Sequence, residues 1–157
     1  MASLYESQGR YAEAEPLYKE ALAIRAKVLG KEHPDYAGSC NNLASLYESQ
    51  GRYAEAELLY KEALAIRAKV LGKEHPSYAT SCDNLALFYE RQGRYAEAEL
   101  LFKEALAIRA KVLGKEHPEY ASSCDNLAKL YRIQGRYAEV EPLYKEALAI
   151  RAKVLGK

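Results

Sequence analysis

YAEAEPLYKEALAIRAKVLGKEHP, Tyr11 to Pro34, is the stretch that decides the fold, because it returns as Tyr53 to Pro76 with one change, Pro16 becoming Leu58. It returns again at Tyr95 and, truncated, at Tyr137, so the period is 53 − 11 = 42 residues throughout. A fixed period of this size marks an array in which each supersecondary unit buries its apolar face against the next. With 157 residues, 157/42 gives about 3.7 units, and the expectation is a single array over 1–157: a partial repeat 1–33, then 34–75, 76–117 and 118–157.

Each unit carries two breaks, Gly51 and Gly72 in the first complete copy, with Pro76 after the second. Proline suits the first helical position and glycine the position just past the last, so Pro34–Gln50 and Tyr53–Leu71 read as helices. Tyr36, Cys40, Leu43, Ala44 and Tyr47 follow helical spacing in the first, and Tyr53, Ala56, Tyr60, Ala63, Leu64 and Val70 in the second. Gly51-Arg52 is too short for anything but an antiparallel hairpin. The many Glu, Lys and Arg residues of the second helix read as a solvated outer face, with Glu57 and Lys61 as an exposed pair.

Lys and Arg total 23 against 22 Asp and Glu, a net charge of +1, which disfavours nucleic acid or an anionic membrane as the main partner. The N-terminus has no signal-peptide pattern and no stretch is long and apolar enough to span a bilayer, so a cytoplasmic setting is expected. Cys40, Cys82 and Cys124 fall one repeat apart, and helices of neighbouring units lie about 10 Å apart, beyond the ~7 Å Cα limit of a disulfide. Three cysteines at that spacing fit no zinc pattern, and they read as small reduced core residues. His33, His75 and His117 each sit in a Lys-Glu-His-Pro connection and read as helix-opening residues; no metal or cofactor is expected.

Cys40-x2-Leu43-Ala44-x2-Tyr47, then Gly51, Tyr53, Ala56-x3-Tyr60 and Ala63, resembles the tetratricopeptide signature along the whole chain. Cys replaces the signature Trp, and Ala68 stands where the 34-residue repeat has its terminating Pro, which lets the second helix run on and lengthens the unit. The Ala-Leu-Ala-Ile-Arg-Ala-Lys-Val-Leu-Gly-Lys-Glu-His-Pro ending and Asn-Asn-Leu-Ala start are similar to the repeats of kinesin light chain and its bacterial relatives. The resemblance implies an all-α fold, a right-handed superhelical α-solenoid of antiparallel helix pairs, and a protein or peptide as partner.

The copies supply their own comparison. Across residues 34–73, 76–115 and 118–157, 10 of 40 columns vary, and six of the ten lie on one stripe of the first helix: Asp35/Ser77/Glu119, Gly38/Thr80/Ser122, Asn41/Asp83/Asp125, Ser45/Leu87/Lys129, Glu48/Glu90/Arg132 and Ser49/Arg91/Ile133. At ~100° per residue the stripe spans about 140°, opposite the unchanging apolar residues. In tetratricopeptide arrays the first helices line the concave surface, so the resemblance implies that this stripe is the lining. Unconstrained drift is the other explanation, but it would also scatter changes over Glu57, Lys61, Arg67 and Lys69, which barely vary. Asn42, Asn84 and Asn126 stay fixed beside the stripe, and an amide that both donates and accepts can clasp an extended peptide backbone. In relatives such asparagines grip peptide backbone or carboxylate; bonding to a neighbouring helix is the alternative role. The candidate peptide-binding residues are therefore Asn42, Asn84, Asn126, Asp83, Asp125, Leu87, Glu90, Arg91, Lys129 and Arg132. Glu6, Glu48, Glu90 and Asp83 gather towards the beginning, and Arg91, Lys129 and Arg132 towards the end, where an acidic ligand segment is expected.

Every Ser, His, Cys or Asp that might serve in catalysis has near-identical siblings one repeat away, and no nucleotide-loop or hydrolase motif is present, so an enzyme is not expected. The chain opens at Ala2, equivalent to Ala44 inside a first helix, and stops at Lys157 after a second helix. Leu143, Tyr144, Ile150 and Leu155 match internal residues that a following unit would cover. Two expectations follow: an excised piece of a longer array, or head-to-tail self-association.

Overall fold

The computed structural model describes residues 11–30 and 33–155, and Ala2, Glu6 and Lys157 lie outside the described residues. Among the described residues there are seven helices and no strand: α1 Tyr11–Val28, α2 Pro34–Ser49, α3 Tyr53–Leu71, α4 Pro76–Arg91, α5 Tyr95–Val112, α6 Pro118–Ile133 and α7 Tyr137–Leu155. The chain divides into two compact units, Met1–Gly72 and Lys73–Lys157. In the first, α1 packs on α2 and α2 on α3; in the second, α4 pairs with α5, α5 with α6, and α6 with α7.

The sequence signals at the helix ends act as read, with an addition. Pro34, Pro76 and Pro118 open α2, α4 and α6, and the preceding histidine is the cap in each case. The Nδ1 of His33 accepts from the backbone N–H of Asp35 at 3.1 Å, that of His75 from Ser77 at 3.0 Å and that of His117 from Glu119 at 3.0 Å. An extended N-cap residue whose side chain accepts a first-turn N–H satisfies one of the four unbonded donors of the helix start. At the other end Gly51, Gly93 and Gly135 adopt φ of 77°, 77° and 76°. The next residue's N–H, on Arg52, Arg94 and Arg136, returns to the carbonyl of Tyr47, Tyr89 and Tyr131 at 2.8 Å, closing the helix in a Schellman arrangement.

The packing core is built from the invariant letters. Tyr36, Ala37, Cys40, Ala63 and Ile66 are buried together in the first unit, with Leu22, Ala26 and Leu59 against them. In the second unit Tyr120, Ala121, Cys124, Ala147 and Ile150 do the same, with Leu106, Ala110 and Leu143. Alanines at zero exposure, such as Ala37, Ala63, Ala105 and Ala121, let the helix backbones approach closely. All three cysteines are buried and none is in a disulfide. Burial pushes the Cys82 thiol up to about 12 and the Cys124 thiol to about 11, which keeps both protonated and unreactive.

Candidate functional site

One expectation fails in an informative way. The arginines of the second helices are not a solvated face: Arg109 is 6% exposed, and Arg67 is half-buried, with burial disfavouring its charge. Arg109, on α5, donates from Nη1 to Asp83 Oδ2 on α4 at 2.5 Å and to Ser123 Oγ on α6 at 2.7 Å, tying three helices of the second unit together. In the first unit Arg25 makes the matching bond to Ser39 Oγ at 2.6 Å. The helix's outward periodicity is correct, but a long side chain on its flank reaches the joint to the next helix.

The second set of joints is centred on the arginine of the Gly-Arg turn, read from sequence only as a short connection. The guanidinium of Arg136 lies 4.1 Å from the centre of the Tyr131 ring, and its Nη1 reaches Glu99 Oε1 on α5 at 2.8 Å while Nε and Nη2 fork onto Glu139. Arg52 repeats the arrangement over Tyr47, with Glu15 and Glu55 as its carboxylates. Glu99 also accepts from Tyr131 Oη at 3.0 Å and pairs with Lys103 at 2.8 Å. Burial raises the Glu99 carboxyl, but the bonds from Arg136, Lys103 and Tyr131 outweigh it and bring it down to about 2. The available signal was invariance: a tyrosine, arginine and glutamate unchanged from copy to copy.

Outside these joints, several members of the variable stripe on the first helices are open to solvent. Within the second unit, Leu87 and Asn84 on α4 and Asn126 and Asp125 on α6 are half-buried, and Arg91, Lys129, Arg132 and Ile133 are exposed. Asp125 is paired with Arg151 at 2.6 Å. Two members differ from the rest. Asp83 is buried beneath Arg109, and burial raises its carboxyl even though Arg109 opposes the shift. Glu90 is 7% exposed, with Oε2 at 3.4 Å from Lys129 Nζ, which puts the α4 and α6 stripes within side-chain reach of each other. In the first unit Asn42 is exposed on α2. On α7, Ile150 is buried and Leu143 half-buried, whereas Tyr144 and Leu155 are 37% and 81% exposed. Tyr137, Val140, Tyr144 and Leu148 line an open groove of about 400 Å³ there. Among the described residues no group of three His, Cys, Asp or Glu side chains is placed to hold a metal, and no helix is long and apolar enough to cross a membrane.

The tetratricopeptide repeat family matches this chain at residues 1–69, 41–111 and 78–153, and the chain belongs to that family. Its helix pairs are an all-α repeat fold of the kind that generally serves as a protein-interaction scaffold, and no enzymatic family is indicated. Among solved structures it is similar to BtubC (BKLC) from P. vanneervenii, with 28% identity and a TM-score of 0.86 over 99% of this chain. The chain spans 62% of that protein's length. It is also similar to a putative kinesin light chain from Podosopora anserina with nearly identical TPR-like repeats, at 38% identity and a TM-score of 0.81 over 98% of this chain and 72% of that one. A singly substituted form of the latter aligns at 37% identity and 0.84 over 99% and 74%. A search of curated proteins finds no match.

Proposed function

We propose that the chain is a non-catalytic interaction module whose first helices hold an extended peptide or a partner helix, in a cytoplasmic setting that keeps its cysteines reduced. The observation that carries this reading is the division of the surface. Charges on the second helices and turns are constant because they pair with one another, whereas Leu87, Arg91, Lys129, Arg132 and Ile133 differ between copies and face solvent at least in part. Asn84 and Asn126 offer amides to the ligand backbone, and Asn42 offers the same amide on the first unit. Arg91, Lys129 and Arg132 draw an acidic portion of the ligand to the α6 end of the second unit.

A positional-scanning library of acetylated, amidated peptides tests the reading. The Asn84→Ala/Asn126→Ala variant is expected to bind selected peptides about tenfold more weakly, the equivalent of ~1.4 kcal/mol. The Lys129→Glu/Arg132→Glu variant is expected to lose the acidic ones. Unchanged affinities in both variants would refute it.

A second reading, self-association, has one observation in its favour. Tyr144 is 37% exposed where its counterpart Phe102 is 1% exposed, and it lines the apolar groove on α7. A second copy seated there would give an assembly that grows with concentration. Sedimentation velocity over a wide concentration range should then show species beyond the monomer that Tyr144→Glu abolishes; a monomer throughout removes this reading.

A further inference from the structure

Glu48 and Glu90 occupy the same place in successive repeats, yet their carboxylates are served differently. In the first unit Tyr60 Oη donates to Glu48 Oε1 at 3.1 Å. One repeat later the tyrosine has become Phe102, which is 1% exposed and has no hydroxyl to donate. Glu90 remains, 7% exposed, with no hydrogen-bond partner at Oε1. Its other oxygen is 3.4 Å from Lys129 Nζ, longer than the ~2.8 Å of a well-formed charge-assisted bond. A buried carboxylate with an unmet lone pair is costly, and the repeat does not demand an acid here, since the third copy has Arg132.

We propose that Glu90 is the anchor for a cationic side chain of the bound peptide, an arginine above all. This rests on the peptide-binding reading above and names the ligand chemistry at its α4 end. Lys129 is half exposed on a flexible stem and stands beside Glu90 Oε2 without completing the carboxylate's bonding. An incoming guanidinium presents two parallel N–H donors that match both oxygens of Glu90, including Oε1. Lys129, displaced, moves onto an acidic side chain of the same peptide. The exchange of partners leaves the charge balance of the site unchanged, and it selects a peptide in which a basic residue lies near an acidic one. The Tyr-to-Phe change is what opens the position, because in the first unit the protein's own hydroxyl fills the corresponding acceptor.

The test compares peptides chosen from the positional-scanning library with versions in which arginine is replaced by citrulline, its neutral isostere, on the full chain. The wild type is expected to prefer arginine about tenfold. Glu90→Gln should bring the two within about twofold. Phe102→Tyr supplies the missing donor from within, and tyrosine already stands at the corresponding Tyr60 and Tyr144, so the variant should fold, melt at a higher temperature and lose most of the arginine preference. Equal binding of arginine and citrulline peptides by the wild type, or a preference that survives both substitutions, overturns the anchor. If peptides bind in a manner dependent on Asn84 and Asn126 but without the arginine preference, the anchor alone is wrong. If no peptide in the library binds, the peptide-binding reading fails and the anchor with it.

Discussion

Arg109→Ala is expected to destabilise the second unit by about 3–5 kcal/mol, the cost typical of removing one partner of a buried ion pair. Asp83 is 8% exposed and is paired with Arg109 through Oδ2; its Oδ1 already has no donor, so without the guanidinium both oxygens of the buried carboxylate are left unmet. Ser123 loses its bond as well. Replacing both partners with leucine is expected to recover most of the loss, because the cost of desolvating two charges disappears with them. The sign of the pH dependence gives an independent check. The Asp83 carboxyl is raised, with burial the largest cause and Arg109 opposing it. A raised folded value means that this group's stabilising contribution is complete below the ordinary 3.8 and is lost as pH rises through the folded value. Without Arg109 nothing opposes burial, so the variant's Asp83 carboxyl rises further and the variant loses more than the wild type as pH rises. The gap should be widest near neutrality and narrow on acidification, as followed by urea unfolding with hydrogen exchange on α4 to α6. An Arg109→Ala variant as stable as the wild type would show that the pair contributes nothing to the joint.

Glu99→Gln is expected to cost about 2 kcal/mol at neutral pH, in the range of hydrogen bonds to a charged group, and to change the acid limb of the stability curve. One carboxylate on α5 here receives Tyr131 from α6, Arg136 from the turn before α7 and Lys103 from its own helix. The sign is opposite to that of Asp83. Glu99 lies at about 2, below its ordinary 4.5, so its stabilisation is present above 4.5 and is lost as pH falls towards about 2. Urea midpoints measured from pH 5 down to pH 2 should fall more steeply for the wild type than for Glu99→Gln. Parallel curves would mean that the knot at Glu99 is not formed in solution. The matching knot in the first unit, at Glu15, should respond in the same direction, since Lys19 and Arg52 hold it by the same contacts.

The amino-acid sequence alone determined the helices, their ends and the apolar stripe of the first helices; on the second, Tyr53 and Val70 follow the apolar spacing but are 47% and 42% exposed. Repetition every 42 residues, proline after histidine and glycine before arginine act over a few residues, and such local chemistry can be read without neighbours. The invariant Tyr36, Cys40, Leu43, Ala44 and Tyr47 are buried as their spacing requires, because a 3.6-residue period leaves an apolar stripe only one place to go. Only the tertiary structure decided which charges are solvated and which are held in joints. Arg67, Arg109 and Arg151 hold the same place on the helical wheel, yet Arg109 is buried on Asp83 and Ser123 while Arg67 and Arg151 are half-buried. The same holds for the stripe, where Asp83 and Glu90 are enclosed and Arg91, Lys129 and Arg132 are open. The physical reason is that periodicity fixes the direction in which a side chain leaves its helix, whereas its burial depends on how far it reaches and on what the adjoining helices place there. Glu48 accepts from the Tyr60 hydroxyl, whereas the residue corresponding to Tyr60 in the next repeat is Phe102 and Glu90 Oε1 has no donor, so two identical letters in register carry different chemistry.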